Sequence, residues 1–249
     1  MLLHDTHFHL DLFPNPEEMV SIIEKAKIYT IAVTNSPSVF FYTKRITSAS
    51  KYIKPALGLH PELASQRKKE IKQFLELIDE TRYIGEIGLD NLNKTSDDYL
   101  IQKQIFETIL RACADKRNKI LTIHSRKASK DVISMIGNNY PGKVILHWYS
   151  GGAKELEKAI KNGYYFSINY SMTISESGKK IIEQIPIERI LIETDGPFTV
   201  FSEKPSTPEL SEQIFVNIKR IKKVTYDFLS PNFKSLISNF QFESDKNKL

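Results

Sequence analysis

The chain has 249 residues, of which 41% are hydrophobic and 26% are charged, and neither glycine nor proline is in excess. This composition is ordinary for a globular protein and excludes collagen-like, low-complexity and largely disordered chains. Lys and Arg exceed Asp and Glu by 35 − 30 = 5, so the surface is mildly basic, which is compatible with a polyanionic partner without requiring one.

Cysteine content and hydropathy bear on the compartment. The one cysteine, Cys113, falls in a helical pattern with Ile109 and Leu110, where a small buried residue fits, and it has no partner for an internal disulfide. No charged leader with an apolar core opens the chain, and no apolar run approaches the roughly 20 residues that span a bilayer. We therefore expect a cytoplasmic protein that neither crosses a membrane nor is exported.

Eight short β-like segments follow one another along the chain, and a helical pattern follows each of them. Strands that alternate with helices predict a mostly parallel sheet. Eight strands in a chain of this length favour an α/β fold of the (β/α)8 TIM barrel type, with an open doubly wound sheet as the alternative. The predicted strands are Leu3–His9, Thr30–Asn35, Pro55–His60, Tyr83–Leu89, Ile120–His124, Val144–Trp148, Tyr165–Asn169 and Ile190–Asp195.

Three of the helical patterns have recognisable ends. Asn15 is predicted to cap the first helix, which has Pro16 in its first turn. Gly163 suits a left-handed cap at the end of the helix Lys154–Lys161. After the eighth strand, Ser206 is predicted to open a further helix as the first residue of an S-x-x-E capping pattern.

The length of the chain also predicts its domain organisation. Residues 1–249 match the typical size of one eight-stranded barrel, and no internal repeat or linker divides them, so we expect a single hydrolase domain. The last residues, 243–249, are polar and lack periodicity, and they are predicted to form a disordered tail.

Five of the six histidines fall at the carboxyl ends of predicted strands, which form the face where such barrels carry their active sites. The two-residue period of the first strand sends two of these histidines to one side together with Asp5, so that they can chelate one cation. Histidines satisfied by backbone hydrogen bonds are the alternative explanation for this pair. The five are His7 and His9 on the first strand, His60 on the third, His124 on the fifth and His147 on the sixth.

Two acidic residues lie at similar positions in apolar strands. An unpaired carboxylate is costly to bury, and Glu86 sits inside the fourth strand with no obvious arginine at the same level to pair with it. After the apolar run Ile190–Ile192, Glu193-Thr194-Asp195 reaches the rim, where Asp195 or Glu193 can instead cap a turn.

One shared metal site explains the positions of the candidate ligands better than a separate structural explanation on each of five strands does. Imidazole and carboxylate without thiolate suit Zn²⁺, Mn²⁺, Fe²⁺ or, less well, Mg²⁺. Six ligands are too many for one tetrahedral ion and suit two divalent ions that share a carboxylate. The predicted ligands are His7, His9, Glu86, His124, His147 and Asp195.

Six motifs occur in a fixed order over residues 5–197. They are Asp5-x-His7-x-His9-x-Asp11, Gly58-x-His60-Pro61, Gly85-Glu86-x-Gly88-Leu89-Asp90, His124-x-Arg126, His147-x-x-Ser150-Gly151 and Glu193-Thr194-Asp195-x-Pro197. The series resembles that of TatD-family metal-dependent deoxyribonucleases. Longer segments that begin at Leu57, His124, Leu146 and Glu193 resemble more narrowly the TatD-like nuclease subunit of Qat anti-phage defence systems. The chain departs from the commonest form of the family's last motif at Gly196, where serine is usual.

The resemblance implies which ion each candidate ligand binds and which residues are catalytic. One ion is held by His7, His9 and Asp195, a second by His124 and His147, and Glu86 bridges them. The implied activity is a DNase resembling a 3'–5' exonuclease, in which Asp195, Glu86 and His60 are catalytic.

The resemblance also implies substrate contacts at the rim. Arg126 and His60 face the phosphate, since the planar fork of arginine suits a phosphodiester, although a surface arginine paired with an acid is the alternative. Single-stranded DNA ends are the implied partner, with other subunits of a Qat-type complex beside it. Aromatic residues that can stack exposed bases there, or instead pack against a helix, are Trp148, Tyr149, Phe198 and Phe201.

Two other functions stay open from the sequence. The first is an amidohydrolase-like barrel that cleaves a lactone, an amide or a phosphotriester; such enzymes often bridge their metals with a modified lysine on the fourth strand, where this chain has Glu86. The second is a non-catalytic interaction subunit of a defence complex, whose metals are structural.

Overall fold

The computed structural model describes residues 2–238 and forms the predicted (β/α)8 barrel. Eight parallel strands each overlap one of the predicted segments, which confirms the predicted fold class. The barrel strands are β1 (His4–Phe8), β2 (Tyr29–Val33), β3 (Ile53–Ala56), β4 (Tyr83–Gly88), β5 (Ile120–His124), β6 (Lys143–His147), β7 (Tyr165–Ile168) and β8 (Ile190–Ile192). The predicted tail 243–249 lies outside the described residues, and the single domain over 1–249 stays a prediction.

Helices surround the barrel and fill the connections between its strands. They are α1 (Pro16–Ala26), α2 (Pro37–Ile46), α3 (Ala64–Arg67), α4 (Ile71–Leu77), α5 (Ser96–Lys116), α6 (Ser129–Ile136), α7 (Ala153–Lys161), α8 (Tyr170–Ile174), α9 (Glu176–Gln184), α10 (Ser211–Lys222) and α11 (Leu229–Ile237). A small hairpin, β9 (Val200–Phe201) with β10 (Lys204–Pro205), stands between β8 and α10. Within residues 2–238 no helix has the length and apolar character that crossing a membrane requires.

Backbone hydrogen bonds between two further pairs of strands close the barrel. Between β3 and β4, the Leu57 N–H donates to the Tyr83 carbonyl at 3.0 Å, and the Gly85 N–H donates to the Leu57 carbonyl at 2.9 Å. Between β8 and β1, the Asp195 N–H donates to the His7 carbonyl at 2.9 Å. These bonds bring the ends of β4, β8 and β1 to one mouth.

Two strands of the barrel contain a β-bulge beside this mouth. The three-residue step from Asp5 to Phe8 in β1 is matched by a two-residue step in β2. The three-residue step from Ile84 to Ile87 in β4 is likewise matched by a two-residue step in β5. An extra residue changes which face the following side chains take, and in β4 it lets Glu86 point inward while Ile84 and Ile87 both join the core outside the barrel.

The opposite end of the barrel is sealed by α11. Phe233 and Leu236 pack among the inward side chains of the lower barrel, in one apolar cluster with Ile31, Ile145 and Leu191. The guanidinium of Arg82, at the start of β4, donates to the carbonyls of Ile237 and Ser238 at 2.7 and 2.8 Å. Because α11 closes the amino end of the barrel, the carboxyl ends of the strands form its open face.

The predicted helix ends are confirmed in part. Gly163 has φ +78° just after α7, as the predicted left-handed cap requires. Asn15 occupies the N-cap position with Pro16 in the first turn, as predicted, but its side chain does not cap the helix: its amide donates to Glu18 at 3.3 Å and accepts nothing from the helix. The Ser206 cap is wrong: a 3-10 turn over Pro208–Leu210 precedes α10, and the Ser206 hydroxyl makes no hydrogen bond within residues 2–238.

Candidate metal centre

All six predicted ligands meet at the carboxyl end of the barrel, and Glu86 lies at their centre. Its Oε2 is 3.4 Å from Nε2 of His7 and 3.3 Å from Nε2 of His9. Oδ1 of Asp195 faces the same two nitrogens at 3.8 and 3.5 Å. All four side chains are at least nine-tenths buried, so one carboxylate oxygen of Glu86 belongs to a closed group of two histidines and an aspartate.

The other oxygen of Glu86 faces a second group of histidines. Oε1 is 2.6 Å from Nδ1 of His124, 2.9 Å from Nε2 of His147 and 3.2 Å from Nε2 of His60. Glu86 therefore stands between two separate sets of nitrogen donors. His60 joins the second set, which the sequence interpretation had assigned to His124 and His147 alone.

Unpartnered nitrogens show that the first group suits a cation. Nε2 of His7 and Nε2 of His9 are buried and have no hydrogen-bond partner within residues 2–238. Buried polar atoms are nearly always satisfied, so two unpartnered nitrogens beside two carboxylates form a group that suits a cation. The ligand atoms of His7, His9 and Asp195 lie within 4.8 Å of one another, as do those of His60, Glu86 and His124. Both sets offer the imidazole and carboxylate donors that Zn²⁺ and Mn²⁺ accept.

Two residues behind the histidines hydrogen-bond to their rings, and a third, Glu193, lies near another ring without a hydrogen bond. The Thr122 hydroxyl lies 2.8 Å from Nδ1 of His7, and Oδ2 of Asp90 lies 2.7 Å from Nε2 of His124. Oε2 of Glu193 lies 3.7 Å from Nδ1 of His147. Outer carboxylates and hydroxyls of this kind set the ring orientation and the tautomer of metal-binding histidines.

Glu193 is held in place by three donors of its own. It accepts the Trp148 N–H at 2.9 Å, the Asn169 side-chain amide at 3.1 Å and the Ser167 hydroxyl. These donors come from the ends of β6 and β7. The sequence interpretation gave Glu193 no role beyond a turn; the two-residue spacing to Asp195 was the available signal that both face inward.

Asp5 does not join the metal cluster, contrary to the expectation that it would lie beside His7 and His9. Its carboxylate accepts the backbone N–H groups of His7 and Thr194 at 3.1 and 3.0 Å, together with the Thr194 hydroxyl. Asp5 therefore ties β1 to the residues that follow β8. Burial raises its pKa to about 7, against the lowering effect of these hydrogen bonds.

The electrostatics of the cluster follow from burial and from mutual contacts. Burial by itself would raise the pKa of Glu86, but the surrounding histidines, led by His60, hold that pKa well below its usual range. Burial, reinforced by the neighbouring His147, lowers the pKa of His7 to about 3. Burial opposes the charged form of His9 too, but its contacts with Asp195 and Glu86 raise the pKa to about 9. An ionised Glu86 beside a neutral His7 is the state in which both can act as ligands.

Two glycines permit the close backbone approach that builds this mouth. Gly88 has φ +135°, and a Cβ there would lie 2.1 Å from the His124 carbonyl oxygen. A Cβ on Gly58 would lie 1.7 Å from the Thr34 carbonyl oxygen and 2.5 Å from the Glu86 nitrogen. Any side chain at these positions would push apart the strands that carry Glu86 and His124.

A cavity of about 550 Å³ opens above the cluster. This volume falls within the range typical of small-ligand sites. Its lining includes the polar cluster and, around it, the residues predicted to contact substrate. Among the lining residues are Asn35, His60, Glu62, Glu86, His124, Arg126, His147, Trp148, Asp195 and Phe198.

Arg126 reaches this cavity but is already paired with acids. Its Nε lies 2.7 Å from Oδ2 of Asp90, and its Nη2 lies 3.0 Å from Oε1 of Glu62. The guanidinium therefore lines the cavity and also pairs with carboxylates, and its contact with a substrate phosphate stays a prediction.

Only two of the four predicted rim aromatics line the cavity, and their stacking on bases stays a prediction. Trp148 and Phe198 line the cavity, and the ring of Phe198 is 58% exposed and stands edge-on to His9 with centroids 4.9 Å apart. Phe201 packs edge-on against Tyr170, outside the cavity lining. The prediction for Tyr149 is wrong, because its side chain is buried in the core and donates its hydroxyl to the Gly152 carbonyl.

Comparison with known proteins places the chain among metal-dependent hydrolases. Residues 4–239 match the family model described as TatD related DNase. The uncharacterized metal-dependent hydrolase YabD of Bacillus subtilis is 30% identical over 243 residues, which cover 91% of this chain and 93% of that protein. The human protein named deoxyribonuclease TATDN3 is 26% identical, with 88% of each chain covered. The crystal structure of YJJV, a TatD homologue of Escherichia coli, superposes with a TM-score of 0.83 at 21% identity, covering 94% of this chain and 97% of that one.

Proposed function

Because the chain belongs to the family of TatD-related DNases, we propose that it hydrolyses phosphodiester bonds in DNA with two divalent ions bound at the barrel mouth. The observation that carries the proposal is the position of Glu86. One of its oxygens faces His7 and His9, and the other faces His124 and His147. A carboxylate in that position suits a bridge between two ions, and paired ions are typical of enzymes that cleave phosphodiesters.

The ligands divide into two sets in this proposal. His7, His9 and Asp195 would hold one ion, His124 and His147 would hold the other, and Glu86 would contact both. Divalent ions held by these residues would lower the pKa of water and offset the negative charge of a phosphate.

The protein's own groups supply the proton transfers and the positioning. Asp195 would orient the attacking water or accept its proton, since its carboxylate belongs to the first ligand set and faces His7 and His9. Nδ1 of His60 accepts the Glu62 N–H at 3.1 Å, so in the neutral ring Nε2 carries the proton. His60 can therefore donate a hydrogen bond from Nε2 to a phosphate oxygen, while Arg126 stabilises charge on the same group.

The substrate we propose is an unpaired DNA end, cut in the 3'–5' direction. Arg126 offers a phosphate contact on one part of the lining, and Trp148 and Phe198 offer ring faces on another. A cavity of about 550 Å³ favours a short unpaired end over a duplex. Stacking of this kind is tolerant of sequence, so we expect little base preference.

A direct assay tests the proposal. Purified protein is incubated with end-labelled single-stranded and double-stranded DNA and Mg²⁺, Mn²⁺ or Zn²⁺, beside the variants His124→Ala and Asp195→Ala. We expect metal-dependent cutting of the single strand that both substitutions abolish. Cutting that persists in both variants would indicate a contaminant, and no cutting by the wild type would contradict the nuclease. The label position gives the polarity.

Lactonase-type or amidase-type chemistry is the main competitor. A modified lysine bridges the metals in many barrels of that class, whereas β4 of this chain contains no lysine and carries Glu86 between the two groups of histidines. The same protein preparations should therefore show no hydrolysis of lactones or phosphotriesters above that of the Asp195→Ala variant.

We further propose that the protein acts in anti-phage defence, with other subunits of a Qat-type complex. The support is the resemblance of the segments that begin at Leu57, His124, Leu146 and Glu193. Phage plating on cells that carry the gene with its neighbours tests this. Protection by the wild type that is lost with Asp195→Ala would support a catalytic role in defence, and equal plating on both would contradict it.

A further inference from the structure

Glu62, which lines the cavity with Arg126, holds one carboxylate oxygen between that arginine and Lys94. Its Oε1 lies 3.0 Å from Nη2 of Arg126 and 3.5 Å from Nζ of Lys94. The side chains of Glu62 and Arg126 are 42% and 44% exposed, and that of Lys94 is 22% exposed. Partly exposed ion pairs contribute little to folding and are screened by solvent, so the carboxylate can exchange with another anion.

The guanidinium does not depend on Glu62 for its position. Nε of Arg126 is held by Oδ2 of Asp90 at 2.7 Å, and the Arg126 carbonyl accepts the Asn91 N–H at 3.0 Å. Asp90 is buried and is fixed in turn by the Leu92 N–H at 2.8 Å. Departure of the Glu62 carboxylate would thus leave a preorganised donor that faces the cavity.

The backbone of Glu62 is anchored separately from its side chain. The Glu62 N–H donates to Nδ1 of His60 at 3.1 Å, which starts the 3-10 turn Pro61–Leu63. The carboxylate can therefore swing away from Arg126 without moving the hydrogen bond that sets the tautomer of His60.

We propose that the Glu62 carboxylate occupies the position of a DNA phosphate adjacent to the scissile one. On binding, this phosphate replaces it between Nη2 of Arg126 and Nζ of Lys94, and Nη1 of Arg126 is left to face the scissile phosphate. The inference rests on the proposed function. Carboxylate and phosphate oxygens accept the same donors from arginine and lysine, and the phosphate offers more of them. His124 and Asp90 connect Glu86 to Arg126, so this position borders the reacting centre.

A consequence is that Glu62 competes with substrate inside the protein. Its negative charge weakens the binding of any anion too small to displace it fully, and it is released only by a chain that gains contacts elsewhere in the cavity. Glu62 therefore selects for a polynucleotide over inorganic phosphate or a lone nucleotide.

The test measures binding separately from cutting. A fluorescein-labelled, phosphorothioate-linked oligothymidylate is titrated with metal-loaded protein and followed by anisotropy, and its integrity is checked on a gel afterwards. The variants are Glu62→Gln and, as a matched control, Glu80→Gln. Glu80 also pairs with a lysine, Lys44, and lies just before β4 at the opposite end of the barrel.

We expect Glu62→Gln to lower the Kd about three- to tenfold and to steepen the dependence of binding on salt by about one unit, whereas Glu80→Gln leaves the Kd within about twofold of wild type. The gain should vanish when Arg126→Gln is added. Inorganic phosphate should compete with the oligonucleotide more strongly on the Glu62→Gln variant than on the wild type.

Three results would overturn the inference. Equal or weaker binding by Glu62→Gln would mean that Glu62 positions the cations rather than competing for them. An equal gain in affinity in Glu80→Gln, or a gain that persists when Arg126→Gln is added, would mean that the change in net charge alone explains the effect. Failure of the nuclease proposal is distinguishable, since it appears as an absence of metal-dependent cutting of ordinary DNA by the wild type.

Discussion

The carboxylate of Asp90 lies 2.7 Å from Nε2 of His124, and the other ring nitrogen, Nδ1, lies 2.6 Å from Glu86. A neutral imidazole has one N–H, so if Asp90 accepts it, the lone pair of Nδ1 faces an ionised carboxylate. Burial lowers the pKa of His124, but the hydrogen bonds to Asp90 and Glu86 outweigh burial and raise it. A metal ion beside Nδ1 would replace the repulsion between this lone pair and Glu86 with coordination of both to the ion. By accepting the N–H of Nε2, Asp90 would set the tautomer of His124 that leaves Nδ1 free to bind the ion.

Asp90→Asn tests this role. The amide keeps the shape but loses the charge that holds His124 and Arg126, so we expect metal affinity and kcat each to fall by about 10- to 100-fold. KM should rise as well, because Arg126 loses its anchor. Metal titration and steady-state kinetics measure the effects.

Asp98→Asn is the control, since the carboxylate of Asp98 bonds to Thr95 and Ser65 at the exposed start of α5. This variant should bind metal as the wild type does. An Asp90→Asn variant with unchanged metal affinity would contradict the proposed positioning of His124.

Glu86→Ala should lower the metal content more than His60→Ala. Each oxygen of Glu86 faces a different ligand set, so its loss weakens both sites, whereas His60 approaches Oε1 alone. We expect Glu86→Ala to lose about one ion per chain or more relative to His60→Ala. Elemental analysis of desalted protein measures this, and equal metal content in the two variants would reverse the ranking.

Two different signals in the sequence predicted the barrel strands and the candidate ligands. Apolar runs of strand length are local signals, and β5 has the predicted bounds, Ile120–His124. The end of β3 was predicted too late, because the chain leaves the strand after Ala56 and starts a 3-10 turn at Pro61. The candidate ligands were found because charged groups at the ends of apolar strands are unusual in themselves.

Other features of the site depend on partners that are distant in sequence. The bulge that turns Glu86 inward is defined by the register of β4 on β5. The hydrogen bonds of Glu193 come from the ends of β6 and β7, and the contacts of Glu62 come from two other loops. No spacing within one segment predicts contacts between loops, which is why these residues were missed or left without a role.

Removal of metal should lower thermal stability. Without cations, the ionised Glu86 and the neighbouring Asp195 and Glu193 remain buried near one another. A ligand present at 100 times its Kd stabilises the folded state by about 2.7 kcal/mol, which corresponds to a Tm shift of roughly 5–10 °C for a chain of this size. Thermal scans with chelator, and again after Zn²⁺ or Mn²⁺ is restored, measure the shift.

Glu86→Gln supplies the control for this effect. Its Tm should respond to the chelator much less than that of the wild type, because the carboxylate proposed to bridge the two ions is gone. A wild-type Tm that is the same with and without chelator would contradict metal binding by the folded protein.

His4 should make the stability of the fold depend on pH. It lies at the sealed end of the barrel, where it stacks on Phe233 with ring centroids 4.5 Å apart and accepts the Ile192 N–H at Nε2. Burial lowers its pKa from 6.5 to about 4, against a smaller raising effect of the Leu2 carbonyl. The unfolded chain therefore binds a proton between pH 6.5 and 4 that the folded chain does not. This contribution to stability is complete above pH 6.5 and falls by about 3 kcal/mol as the pH drops to 4.

His4→Phe isolates that contribution, because it keeps an aromatic ring against Phe233 but cannot titrate. The variant leaves the buried Ile192 N–H without an acceptor, so at pH 7.5 it should be about 1–3 kcal/mol less stable than the wild type. As the pH falls toward 4, the wild type loses the advantage and the difference should shrink to zero or reverse. Urea denaturation with chelator at several pH values from 7.5 to 4.5 measures this, and titration of the metal ligands cancels in the difference. A gap between the two proteins that stays constant over this range would show that His4 does not remain neutral in the folded barrel.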